Sequence, residues 1–169
     1  MPKRHLKISA GFSIIEILIA VFLITIGLGG VMSLNNYSLQ SQGINKNELV
    51  ASQLAQEGLE LVKNGRDAAW IPGFSGLGNL SNGRYIIDYR GSTTPVSGID
   101  DAKTILKIND DGFYNHETGT STQFRRMIMI YGDGMATTAT STIRFTRFGT
   151  NYFYEAVMIL YNWGVGFRN

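Results

Sequence analysis

From Phe12 to Leu34 the chain is apolar for 23 residues, and the only charge among them is Glu16. A helix rising about 1.5 Å per residue would carry that run across the roughly 30 Å hydrocarbon layer of a membrane. No proline interrupts Asn35 to Asn64, where Val50, Ala51, Leu54, Ala55, Gly58, Leu61 and Val62 recur at helical spacing. Gln53, Gln56, Glu57, Glu60 and Lys63 fall largely on the other face, so this half reads as amphipathic. Together the halves predict one helix of roughly 50 residues, closed by Asn64-Gly65 as a C-cap. A loop follows over 65–82, marked by Pro72, Gly73, Gly76 and Gly78.

After Gly83 the period shortens towards two. Tyr85, Ile87 and Tyr89 alternate with Arg84, Ile86 and Asp88 up to Arg90. Thr104–Ile108, Phe124–Tyr131, Thr142–Phe148 and Tyr152–Tyr161 are β-branched and aromatic runs. Gly149-Thr150-Asn151 predicts a hairpin turn, and the Ser/Thr/Ala stretch Thr137–Thr142 a connector. One helix followed by strands gives an α+β fold: an antiparallel sheet of four or five strands over 83–169, laid on the amphipathic half of the helix.

Charge alters this picture at one end. Lys3, Arg4 and Lys7 supply three of the 15 Lys and Arg; the other 12 face 13 Asp and Glu, so the rest of the chain is close to neutral. Cations before the apolar run and none within it place the N-terminus in the cytoplasm and the C-terminal domain outside. The run is longer than a secretory h-region and no A-x-A-like site follows it. The chain has no cysteine, which excludes disulfides, thiolate metal sites and a cysteine nucleophile.

A membrane anchor accounts for everything except Glu16 and the pair Gly11-Phe12. A carboxylate in a membrane helix is costly and calls for a partner. Lys7 is nine residues upstream, too far for an i,i+4 pair. Cleavage between Gly11 and Phe12 would create a positive amine near Glu16, or near the Glu16 of a neighbouring copy. The short basic leader 1–11, Gly11, Phe12, Ser13, two apolar residues and Glu16 resemble the type IV prepilin signal, G-F-[ST]-x-x-E before an apolar helix. The resemblance implies a prepilin peptidase that cuts after Gly11 and N-methylates Phe12. It implies residence of 12–34 in the inner-membrane lipid, an inner-membrane assembly platform, and polymerisation with other copies or related pilin subunits. Glu16 would then pair with the Phe12 amine of the adjacent subunit. The final place would be an extracellular pilus, or a periplasmic pseudopilus if the chain is a pseudopilin of a type II secretion machine. An exported binding domain held by an uncleaved anchor is a third reading. Unlike many pilins, the run has no proline, but it carries Gly27, Gly29 and Gly30.

Candidate chemistry elsewhere is sparse. His116 is the only histidine beyond the leader and reads as a solvated loop residue. No G-x-S-x-G, P-loop or H-E-x-x-H is present, so no enzyme class is indicated. Asn109, Asp110, Asp111, Asn115 and Glu117 are oxygen donors of the kind that hold Ca²⁺, with Asp110 and Asp111 the metal candidates; they lack EF-hand spacing, and an Asx-Gly turn accounts for the same residues. Arg125, Arg126, Arg144 and Arg147 interleave with Phe124, Phe145 and Phe148, either as a surface for single-stranded DNA or as a solvated sheet face beside core aromatics.

Overall fold

The computed structural model describes Gly11 and residues 13–68, 81–132 and 136–161. It divides into two compact units, Met1–Gly43 and Ile44–Asn169. One helix, α1 (Ile14–Ala68), contributes to both. Among the described residues seven strands follow: β1 (Gly83–Ile87), β2 (Thr93–Pro95), β3 (Ile105–Ile108), β4 (Tyr114–Asn115), β5 (Thr120–Gly132), β6 (Ala136–Arg147) and β7 (Thr150–Tyr161), with a 3₁₀ turn at Ala102–Thr104. The expected α+β class and the single long helix are observed.

In the first unit α1 is bare. Every described side chain from Ile14 to Leu39 is exposed. The stretch is long and apolar enough to cross a membrane, with a mean hydropathy of 2.6 over its most apolar 18 residues. Gly27, Gly29 and Gly30 lie inside the helix and do not break it. Each costs about 1 kcal/mol against alanine, which a helix of this length absorbs.

In the second unit the C-terminal half of α1 lies on the sheet. All strand pairs are antiparallel. β5 is the spine: β6 pairs along one side of it, while β3 and β1 share the other. β7 adds to β6, and β2 and β4 add to β1 and β3. Alternation sets the faces. Phe124, Ile128 and Ile130 of β5, with Ala139, Ile143 and Phe145 of β6, turn towards α1. They meet a helical stripe of Ala51, Leu54, Ala55, Gly58, Leu59 and Val62. The stripe is small in the middle, so the sheet approaches closely: a Cβ on Gly58 would stand 2.7 Å from Ser141 Oγ. The core therefore falls into two apolar clusters. One is built around Leu54, Leu106 and Phe145, the other around Leu59, Ile87 and Ile128.

Four expectations are corrected here. The sheet has seven strands rather than four or five; β2 and β4 are two or three residues long and carry no readable periodicity. Thr137–Thr142 is not a connector but part of β6; threonine is β-branched and suits a strand. The hairpin turn lies one position earlier than expected, at Phe148-Gly149, because Arg147 pairs with Thr150. Both turn residues have positive φ, 50° and 77°, the geometry of a type I′ turn. Finally, α1 passes through Asn64-Gly65 and ends at Ala68, since packing of Leu59 and Val62 outweighs one glycine. Of the expected loop 65–82, residues 69–80 lie outside the described ones.

Candidate functional site

Two regions carry polar groups in places that need a reason. The first is the start of α1. Ile14 is its first residue, and the Ser13 carbonyl accepts the Ile17 N–H at 3.2 Å. Ser13 thus stands at the N-cap, and Glu16 falls three residues later, in the first turn. This is the Ser-x-x-Glu spacing of a capping box, where a carboxylate also meets the positive end of the helix dipole. The same two residues, Ser13 and Glu16, therefore have a local role that their spacing alone carries. Glu16 is exposed amid exposed apolar neighbours, Ile15, Ile17 and Ile19. Gly11 is exposed as well, and a Cβ added there would meet no described atom within 4 Å. Packing does not require glycine at position 11. Phe12 lies outside the described residues.

The second region is a polar layer between the two apolar clusters. Arg126 is fully buried on the helix-facing side of β5. Its Nη1 donates to Glu57 Oε1 at 3.0 Å and to the Leu54 carbonyl at 3.3 Å, both on α1. Its Nη2 donates to the Ile87 carbonyl of β1 at 3.2 Å. One guanidinium therefore ties helix, spine strand and β1 together. Arginine suits this because its planar fork stays charged and presents several donors at once.

Beyond Ile87 the Asp88 carboxylate, also buried, accepts the His116 backbone N–H at 3.0 Å. Burial raises the Asp88 pKa from its ordinary 3.8, against the opposing pull of that N–H and of Arg126. His116 is itself buried, and its Nδ1 lies 3.1 Å from the Lys103 carbonyl. Nδ1 is therefore the protonated nitrogen, and Nε2 is buried with no hydrogen-bond partner within normal distance among the described residues. Burial first, and the Arg126 charge second, lower the His116 pKa from 6.5 to about 4. The expectation of a solvated histidine is overturned. The strand pair β3–β4 and the Asp88 carboxylate enclose it, and neither contact is visible in local sequence. Asp88, His116, Lys103, Lys107 and Glu117 line an open cleft of about 440 Å³.

The arginines are corrected too. They do not form one solvated face. Arg126 is enclosed, while Arg125 and Arg144 pair across β5 and β6 on the outer side. Arg125 donates to the Asp101 carbonyl at 2.9 Å, and Arg144 binds Asp100. Arg147 lies over the Phe148 ring at 5.0 Å. Asp110 and Asp111 are exposed in the β3–β4 turn. The turn is held by Asn109, whose Oδ1 accepts the Phe113 N–H at 2.8 Å, with Gly112 at φ 84°. Among the described residues no group of three or more His, Asp or Glu is placed to hold a metal ion.

The histidine makes stability depend on pH. The unfolded chain takes up a proton near pH 6.5, and the folded one only near 4. Lowering the pH between those values therefore favours unfolding. The full loss is about 3 kcal/mol, complete below the folded value. Asp88 acts in the opposite sense: its raised pKa adds stability at acid pH that is lost as pH rises through the folded value, so it offsets part of the fall. The melting temperature of the full chain in detergent should drop between pH 6.5 and 4, and His116→Gln should flatten that drop. An equal slope in the variant would refute the assignment.

Comparison of the chain with family models, with curated proteins and with solved structures returned no match.

Proposed function

We propose that the chain is a structural subunit, a pilin or minor pilin, of a type IV pilus-like filament, with no catalytic role of its own. The observation that carries this reading is the beginning of α1. The bare apolar stretch of α1, long enough for a membrane, contains a single carboxylate, Glu16 in the first turn, five residues after the unobstructed Gly11. An anchor alone needs neither. A peptidase that cuts after Gly11 needs close backbone approach, and glycine provides it at the least steric cost. The new amine on Phe12 would give Glu16 a positive partner, which it does not have among the described residues. Within the second unit the sheet is held to the C-terminal half of α1 by the core and by Arg126.

Processing is the direct test. In a bacterial host with a prepilin peptidase, the mature chain should begin at an N-methylated Phe12, read by mass spectrometry. Gly11→Val should accumulate as the full-length, membrane-inserted precursor. If wild type keeps residues 1–11, or if Gly11→Val still matures to the shorter form, the proposed site is wrong.

A further inference from the structure

The cleft beside His116 arises where two hairpins share one edge of β5. β1 pairs with β5 from Ile130 to Ile128, and β3 takes over at Arg125. Between those points the chain leaves the edge: the Asp88 N–H donates to the Ser92 carbonyl at 3.0 Å, and the strand turns back into β2. β3 turns back into β4 in its own place. The space left between the two hairpins is the cleft, whose volume of about 440 Å³ suits a small molecule.

Its lining is polar and balanced. Asp88, Ser92 and Thr94 come from the first hairpin, Lys107 and Glu117 from the second, and Lys103 from the 3₁₀ turn. Two carboxylates face two ammonium groups, yet no ion pair joins them. Lys107 Nζ donates instead to the Glu117 backbone carbonyl at 2.8 Å. Among the described lining residues only Ile86 and Ala102 are apolar.

An aromatic pair stands beside this lining. Tyr89 follows Asp88 in one turn, and Phe113 ends the other. Their ring centroids are 6.2 Å apart, although the residues are 44% and 61% exposed. Phe113 is two residues from Asn115, the partner of Lys107, so it falls on the face of the sheet that carries Lys107. Turns favour glycine, asparagine, aspartate and serine. Two exposed aromatics there serve neither the turns nor the core.

We propose that this cleft binds a neutral saccharide. A hydroxyl both donates and accepts, so neighbouring hydroxyls of one sugar can donate to Glu117 or Asp88 while accepting from Lys103 or Lys107. The C–H face of the sugar ring packs against the negative faces of Tyr89 and Phe113. Two carboxylates hold off an anion, and an apolar ligand would desolvate four charged groups without repaying them. The site lies within the second unit and does not depend on cleavage after Gly11.

The probes are the methyl glycosides of glucose, galactose, mannose and N-acetylglucosamine, with inorganic phosphate as the anionic counterpart. They are titrated into the full chain in a detergent whose headgroup is not a sugar. At least one glycoside should bind saturably, with a Kd of about 1 mM for so small a ligand. Lys103→Ala and Phe113→Ala change exposed side chains, so both should melt like wild type. Each should weaken sugar binding by about tenfold. Binding of none of the four glycosides, binding of phosphate in their place, or sugar binding that survives either substitution would overturn the proposal.

Discussion

Replacing Glu57 with methionine should destabilise the folded domain by about 2 kcal/mol, less than a fully buried pair would lose because Glu57 is partly solvated, while replacing Glu57 and Arg126 together should cost much less. Arg126 is fully buried, and Glu57 supplies its only ion-pair partner among the described residues. Removing the carboxylate, whose side chain is 39% exposed, leaves a buried cation between two apolar clusters, hydrogen-bonded among the described residues to the Leu54 and Ile87 carbonyls. Breaking such a pair is expensive because the remaining charge cannot return to water. Removing both ions leaves methionine side chains that fill similar space, and the desolvation cost goes with the charges. In thermal melts of the full chain the single variant should lose roughly 10 °C. A double variant as unstable as the single one would show that Arg126 holds the structure by its shape and backbone contacts rather than by compensated charge.

Glu16→Leu should abolish entry into filaments while leaving membrane insertion at least as good as wild type. Insertion improves because a charged group in hydrocarbon is removed. Assembly fails because, on the proposed reading, each Phe12 amine would be left buried without its carboxylate. The loss of one partner from a buried pair is about 3–5 kcal/mol, repeated at every subunit. Glu16→Leu also removes a carboxylate from the first turn of α1, a local loss of about 0.3–1 kcal/mol. Glu16→Gln keeps hydrogen-bonding capacity in that turn and should fail to assemble all the same. Filament yield after shearing, with membrane fractionation alongside, separates the two steps. Normal yield from Glu16→Gln would reduce Glu16 to a helix cap.

The parts of the fold legible in the sequence are those where one period persists. The apolar run and the stripe from Ala51 to Val62 place α1, alternation marks β1, and β-branched and aromatic runs mark β5 and β7. Leu59 is buried where Leu61 was expected, a shift of half a turn that a narrow stripe does not resolve. Some missed features were in fact written down. Phe124, Arg126, Ile128 and Ile130 share one parity, so Arg126 had to face the core once β5 was recognised. Ala139 and Ser141 alternate with Thr138, Thr140 and Thr142, small residues inward and threonines outward, which is strand chemistry. Others were not. His116 is buried by strands two and four residues long and by an aspartate 28 positions away. No local window contains that information. Of the candidate site, the order Gly11, Ser13, Glu16 was legible from spacing, whereas the polar layer around Arg126 needed the sheet to be laid on the helix.

The Phe148-Gly149 turn bears on how the chain finds its shape. It joins twelve ladder pairs through two residues, so β6 and β7 can meet at almost no cost in loop closure. Hairpins of this kind form within about 1–10 μs. β1 must instead bring Gly83 to Ile130 across everything between them, and α1 must bring Asn47 to Gln123. The β1–β2 and β3–β4 pairs also close over short loops, so closure cost is concentrated in bringing β1 to β5 and α1 to the sheet. The β6–β7 hairpin is thus better able to order itself early than α1, which waits for strands distant in sequence to come together.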